Sequence, residues 1–198
     1  KKKEKVDYIS KNLAYLLKDS VIEHKELAKG TNATQWIKDS PYLFIYKNKK
    51  DFFNDEYTWS LRKKYGFNLI EVEEEELKSL LPGLSSEYKF AIKIDHLGYI
   101  SNSQNYLDDL LDGFKKLGGK LVEDEVTDIV DKGDSISIIA KENNILAEDV
   151  IISSGVYSNK FAKKFGVKVP VQSERGYHLE LFDTDIKINH PIMNGYLK

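Results

Sequence analysis

The chain has 198 residues, 41% of them hydrophobic and 31% charged, with 12 Tyr, 9 Phe, 2 Trp, no Cys and a formal net charge of −2. This excludes a disordered, solvating chain and, with no Cys, disulfides, thiolate metal sites and a Cys nucleophile. The interspersed charges argue against a nucleic-acid surface, and no apolar run approaches the roughly 18–20 residues of a membrane helix.

In chain order, Ile9, Leu13, Leu16 and Leu17 recur at helical spacing, so residues 7–18 read as an amphipathic helix. "DSVIEHKELAKG" reads as a second helix, started by Asp19 or Ser20 and stopped by Gly30. "PYLFIYK", residues 41–47, is a strand with Tyr42, Phe44 and Tyr46 on one face and Leu43 and Ile45 on the other. Asp51 is expected to cap a helix running through Phe52, Phe53, Tyr57 and Leu61 to Gly66. "FNLIEV" is a short strand. "EEEELKSLL" is a helix with its acids in the first turn, where the helix dipole favours them. "YKFAIKID" is a further strand.

In the second half, Asn102 or Ser103 caps a helix carrying Leu107, Leu110, Leu111 and Phe114 on one face, closed by Gly118-Gly119. A strand is expected at "KLVEDEV". Two or three short strands follow, with turns at Lys132-Gly133 and Glu142-Asn143-Asn144. Then "VIISSG" reads as a strand covered on both faces, ending in Ser153, Ser154 and Gly155 ahead of a short helix. Small residues at the carboxyl end of a parallel strand let a ligand approach the backbone. A tight ligand-free strand–helix connection uses the same residues, and this segment alone leaves the two open.

The chain holds 28 Lys but only two Arg, Arg62 and Arg175. Arg62 reads as a solvated helix residue; Arg175, in "SERGYHLEL", invites a role for its planar fork. No two His stand at i, i+4 on a helix, so no metal site is expected. No Gly-x-Ser-x-Gly elbow marks a hydrolase.

Three segments read together resemble the D-amino-acid oxidase superfamily of flavoproteins, nearest its D-amino-acid dehydrogenase-like members. "VIISSGVYSNKFAKKFGVKVPVQSERGYHLEL" is similar to the family's apolar strand, small-small-Gly turn, helix and Arg-Gly-Tyr-His segment. "LGYISNSQNYLDDLLDGFKKLGGKLVEDEVTDI" resembles the stretch upstream, and "SPYLFIYKNKKDFFNDEYTWSLRKKYGFNLIEVEEEELKSLLPGLS" an earlier strand and helix. Family members are roughly twice this length and carry a Gly-x-Gly-x-x-Gly loop near the N-terminus. None of the twelve glycines here forms one. The expectation is a central fragment.

The resemblance implies a mixed α/β, α+β fold: a substrate domain with a largely antiparallel sheet and helices, plus the later part of a Rossmann-like FAD-binding domain. The implied domains are 1–97 (substrate domain), 98–170 (partial FAD domain) and 171–198 (return to the substrate-domain sheet). The implied cofactor is FAD, near Val126, Ser153, Ser154 and Gly155. The implied substrate is a small amino acid or amine, with Tyr46, Arg175, Tyr177 and His178 as pocket candidates. Tyr177, Leu179 and Leu181 should share one strand face and His178 and Glu180 the other, so only one of Tyr177 and His178 would face the pocket.

No catalytic residue is assigned. The chain by itself is expected to hold FAD weakly or not at all, to be inactive, and to self-associate through uncovered edges. The lack of Cys and of a signal pattern after "KKKEK" suits a cytoplasmic protein; peripheral attachment at the inner membrane is the alternative for an intact, longer protein. The rival functional reading is a non-catalytic α+β binding or scaffold module derived from the substrate domain. An NAD-dependent dehydrogenase has less support.

Overall fold

The structure is a computed structural model that describes residues 2–185 and 188–195. The fold is mixed α/β. The chain forms two compact units, Lys1–Gly119 with Thr184–Lys198, and Lys120–Asp183.

The first unit is built on a four-stranded sheet. Its strands are β2 (Tyr42–Tyr46), β3 (Leu69–Glu73), β4 (Phe90–Ile94) and β9 (Ile192–Asn194), in the order β3-β4-β2-β9. β2 and β3 run antiparallel to β4, while β9 lies parallel to β2 with Leu43 opposite Ile192. The alternation in "YLFIY" predicts two distinct faces, and both are covered. Leu43, Ile45, Val72 and Ala91 pack with Leu77 and Leu81, in and just after helix α5 (Glu74–Leu80). On the other face Tyr46, Phe90, Ile92 and Ile94 pack with Trp59 of α4 (Glu56–Lys64).

The single helix expected from Asp51 to Gly66 is two. α3 (Lys49–Phe53) is capped by Asn48, whose side chain accepts from the Asp51 N–H, and α4 follows. Asn54 and Asp55 separate them, residues whose side chains compete for the backbone and weaken a helix interior.

The first helix, α1 (Lys2–Leu17), buries none of its residues. Asp7 ties it to α4, accepting from Lys64 Nζ at 2.6 Å and Tyr65 Oη at 3.0 Å. α2 (Ser20–Ala28), a 3-10 turn at Asn32–Trp36 and α6 (Ser103–Lys116) form a second small core around Ala28, Ala33 and Tyr106. Asn102 caps α6, accepting from the Asn105 N–H. Trp36 Nε1 donates to Asp109 at 2.7 Å. Gly113 of α6 lies so close to Thr31 that a Cβ there would stand 2.6 Å from Thr31 Cγ2. A short ribbon, β1 (Ile37–Asp39) with β5 (Gly98–Ile100), flanks this core. Ser40 Oγ and His190 Nδ1, 3.0 Å apart, fasten the returning segment ahead of β9.

The second unit is an antiparallel meander of β6 (Val126–Asp131), β7 (Ile136–Ala140) and β8 (Asn144–Ala147). The strand expected at 120–126 begins only at Val126, which lies opposite Ala140, the last residue of β7. Among the described residues no strand pairs with Leu121 or Val122, and both are exposed.

Asp124 instead closes the next turn. Its carboxylate accepts from the N–H groups of Lys141 (3.2 Å), Glu142 (3.0 Å) and Asn143 (2.9 Å) and from Asn143 Nδ2 (2.8 Å). The Asn143 amide first, and the backbone N–H groups after it, hold this carboxyl below its ordinary value of 3.8. A lowered folded pKa stabilises the turn above 3.8, and that contribution is lost as pH falls through the lower folded value. Asp124→Ala is therefore expected to speed amide exchange at Glu142 and Asn143 near neutral pH. Parent and variant should converge once acid protonates Asp124; equal exchange at pH 7 would remove the turn from Asp124's control.

Candidate functional site

The residues from Asp149 to Ser154 make no strand. A parallel strand needs ladder partners, and among the described residues none pairs with this segment. Ile151 is accordingly 90% exposed, which corrects the expectation of a strand covered on both faces. The turn and helix after it form as expected. Gly155 adopts φ +55 and opens a 3-10 turn, α7 (Ser158–Ala162) follows, and Gly166 at φ +73 ends the element. α7 buries Phe161 and Ala162, which anchors the turn to its unit.

The turn presents bare backbone. Ser153, Ser154 and Gly155 are exposed, and Ser154 Oγ lies 3.2 Å from Ser158 Oγ. A Cβ added at Gly155 would meet nothing within 4 Å, while the positive φ disfavours any residue that carries one. The three residues leave room for an extended ligand to lie against the main chain, and so fit the flank of a dinucleotide. The turn itself carries no cation. Val126 is half-buried at the head of β6, beside a register shift that sets Thr127 apart from the ladder. Asp128, two residues on, pairs with Lys164, whose ammonium holds its carboxyl below the ordinary range.

The pocket candidates fall in different units. Arg175, Tyr177 and His178 belong to the second, on an exposed segment without regular structure. Tyr177 is 87% exposed, and His178 Nε2 lies 3.6 Å from Glu180 Oε1. The strand expected through Tyr177, Leu179 and Leu181 is not formed, for want of a partner among the described residues. Tyr46 belongs to the first unit and is buried in its core, with its hydroxyl accepting from Trp59 Nε1 at 2.8 Å.

Arg62 does not behave as a solvated helix residue. Its guanidinium carbon lies over the Trp59 ring, 4.7 Å from the centroid, and over Phe44 at 5.2 Å. The scarcity of Arg was the one signal in the sequence that could have singled it out. Among the described residues no group of His, Cys, Asp or Glu is placed to hold a metal ion. No helix there is long and apolar enough to cross a membrane.

Residues 4–196 match the family model described as DAO, FAD dependent oxidoreductase. The D-amino-acid oxidase of Bradyrhizobium diazoefficiens is 26% identical over 165 residues, covering 83% of this chain and 39% of that protein. Glycine oxidase from Bacillus cereus has a similar fold, with a TM-score of 0.61 at 16% identity over 80% of this chain and 43% of its own. So does L-alpha-glycerophosphate oxidase from Mycoplasma pneumoniae, solved with FAD bound, with a TM-score of 0.57 at 14% identity over 74% of this chain and 40% of its own. The chain thus spans about two fifths of the length of these relatives.

Proposed function

Since the chain belongs to the DAO family of FAD dependent oxidoreductases, we propose that it serves the FAD-dependent oxidation of an amino acid. D-amino acids come first, with glycine, sarcosine or another secondary amine next. The match over residues 4–196 carries this reading. The names of the D-amino-acid oxidase and glycine oxidase relatives support the substrate class.

Bound FAD would supply the two-electron acceptor that takes the substrate's α-hydrogen as hydride. Water then hydrolyses the product imine to a keto acid and ammonia, or the corresponding free amine where the substrate is a secondary amine. In this proposal Ser153, Ser154 and Gly155 offer their backbone to the dinucleotide, and the main chain at Val126 contacts the adenine. The Arg175 fork is suited to hold a carboxylate in two parallel hydrogen bonds, with Tyr177 or His178 beside it. A substrate amine that enters neutral needs no enzyme base. Residues 1–97 and 171–198 would form the substrate domain and 98–170 part of the FAD domain of a cytoplasmic enzyme.

The 198-residue chain by itself would hold FAD weakly or not at all and turn nothing over. Its sequence has no Gly-x-Gly-x-x-Gly turn to seat the pyrophosphate at a helix N-terminus. Mixed with FAD and freed of unbound flavin, it is expected to show no stoichiometric flavin band; a full band would overturn this. In a protein joining this chain to such a loop, D-amino acids should bleach the flavin anaerobically. Failure with D-amino acids, glycine and sarcosine alike would refute the substrate class.

One observation favours the second reading, a non-catalytic α+β binding module. The first unit covers both faces of its own sheet. No flavin retention even with the loop supplied would select that reading.

A further inference from the structure

The first unit contains a cleft of about 560 Å³ between α1 and α4, within the range of small-molecule sites. Leu13, Ala14 and Leu17 of α1 line it, with Leu61 of α4 and Phe67 and Leu97 from the following loops. Arg62 is half-buried in this apolar wall.

The guanidinium carbon sits over both Trp59 and Phe44, rings that meet at 89°, so the head is held from two directions. The N–H donors of a guanidinium lie in its own plane and point outward along its edges. Among the described residues no carboxylate pairs with Arg62 and no protein acceptor takes its hydrogen bonds. A guanidinium held by two rings with an unmatched fork is organised in advance for a planar oxoanion. Lys, the chain's usual cation, has no planar fork to offer.

The remaining charges narrow the ligand. Lys18 at the rim has Asp19 beside it, 3.6 Å away. Asp95 and His96 also line the cleft. Asp95 opposes a second negative charge, so a monoanion suits the site better than a phosphate, and the apolar walls require an apolar body. We infer that this cleft binds a small monocarboxylate with an apolar body, gripped by Arg62. The site lies wholly within the first unit and does not rest on the flavin reading.

Phenylbutyrate, phenylbutanol and phenylbutylamine, titrated calorimetrically into the full chain, separate the alternatives. The acid is expected to bind about tenfold more tightly than the alcohol, the worth of one charge-assisted hydrogen-bonded pair, and to shift the Trp59 indole resonance. Arg62→Gln should erase the difference between acid and alcohol. Ala14→Trp, which fills the cleft from α1, should abolish binding of both with the circular dichroism unchanged. Three results would overturn the assignment: no binding of the acid or equal affinity for acid and alcohol, tighter binding of the amine through Asp95, or acid binding undiminished in either variant.

Discussion

Trp59→Ala is expected to destabilise the first unit by about 3–5 kcal/mol, the usual cost of deleting a fully packed indole. Trp59 is 3% exposed. Its ring meets Phe44 edge-on at 4.9 Å and lies 5.8 Å from Phe52. Its N–H is held by Tyr46 and its outer face by Arg62. Few neighbours can collapse into the space, because β2 and β4 are fixed by pairing on both sides. Trp59→Phe keeps a ring and loses one donor, at about 1 kcal/mol. Urea unfolding followed by circular dichroism reads both; a midpoint unmoved by the alanine variant would deny that this face is a core.

The second large effect lies on the opposite face. Leu77→Ala should cost about 2–5 kcal/mol. Leu77 is fully buried on α5 against Leu43, Val72 and Ala91. Ala is at least as good a helix former as Leu, so the loss reports the cavity and not the helix. The two clusters share no residue, so the double variant should show the sum to within about 0.5 kcal/mol. That sum approaches the roughly 5–15 kcal/mol that holds an ordinary domain together. The double variant should therefore sit near the limit of folding. A double variant no worse than Trp59→Ala alone would mean that the two faces are not independent.

What the sequence made legible was local. The alternation in 41–47, the Asn102 cap and the positive-φ turns at Gly30, Gly66 and Gly118 need only neighbouring residues to be recognised. The failures share a cause. "KLVEDEV", "VIISSG" and "YHLEL" all have strand composition, yet a strand exists only where another chain segment offers a ladder. Nothing within those segments shows whether one is present. The candidate site divides the same way. Gly155 and its turn follow from small residues ahead of a helix. The Tyr46–Trp59 hydrogen bond and the seating of Arg62 over its two rings depend on a helix folding back over a strand, which periodicity does not encode.

The pairing of β2 with β9 sets a schedule for the chain during synthesis. The first three strands of the first sheet emerge early, but β9 comes only after the whole second unit has been made. At about 5–20 residues per second, β2 waits roughly 5–20 seconds between the synthesis of β4 and that of β9 with one edge bare. Leu43 and Ile45 flank that edge, an invitation to a neighbouring nascent chain. Slower translation through residues 120–183 would lengthen the wait and raise the yield of aggregate without altering one contact of the finished fold.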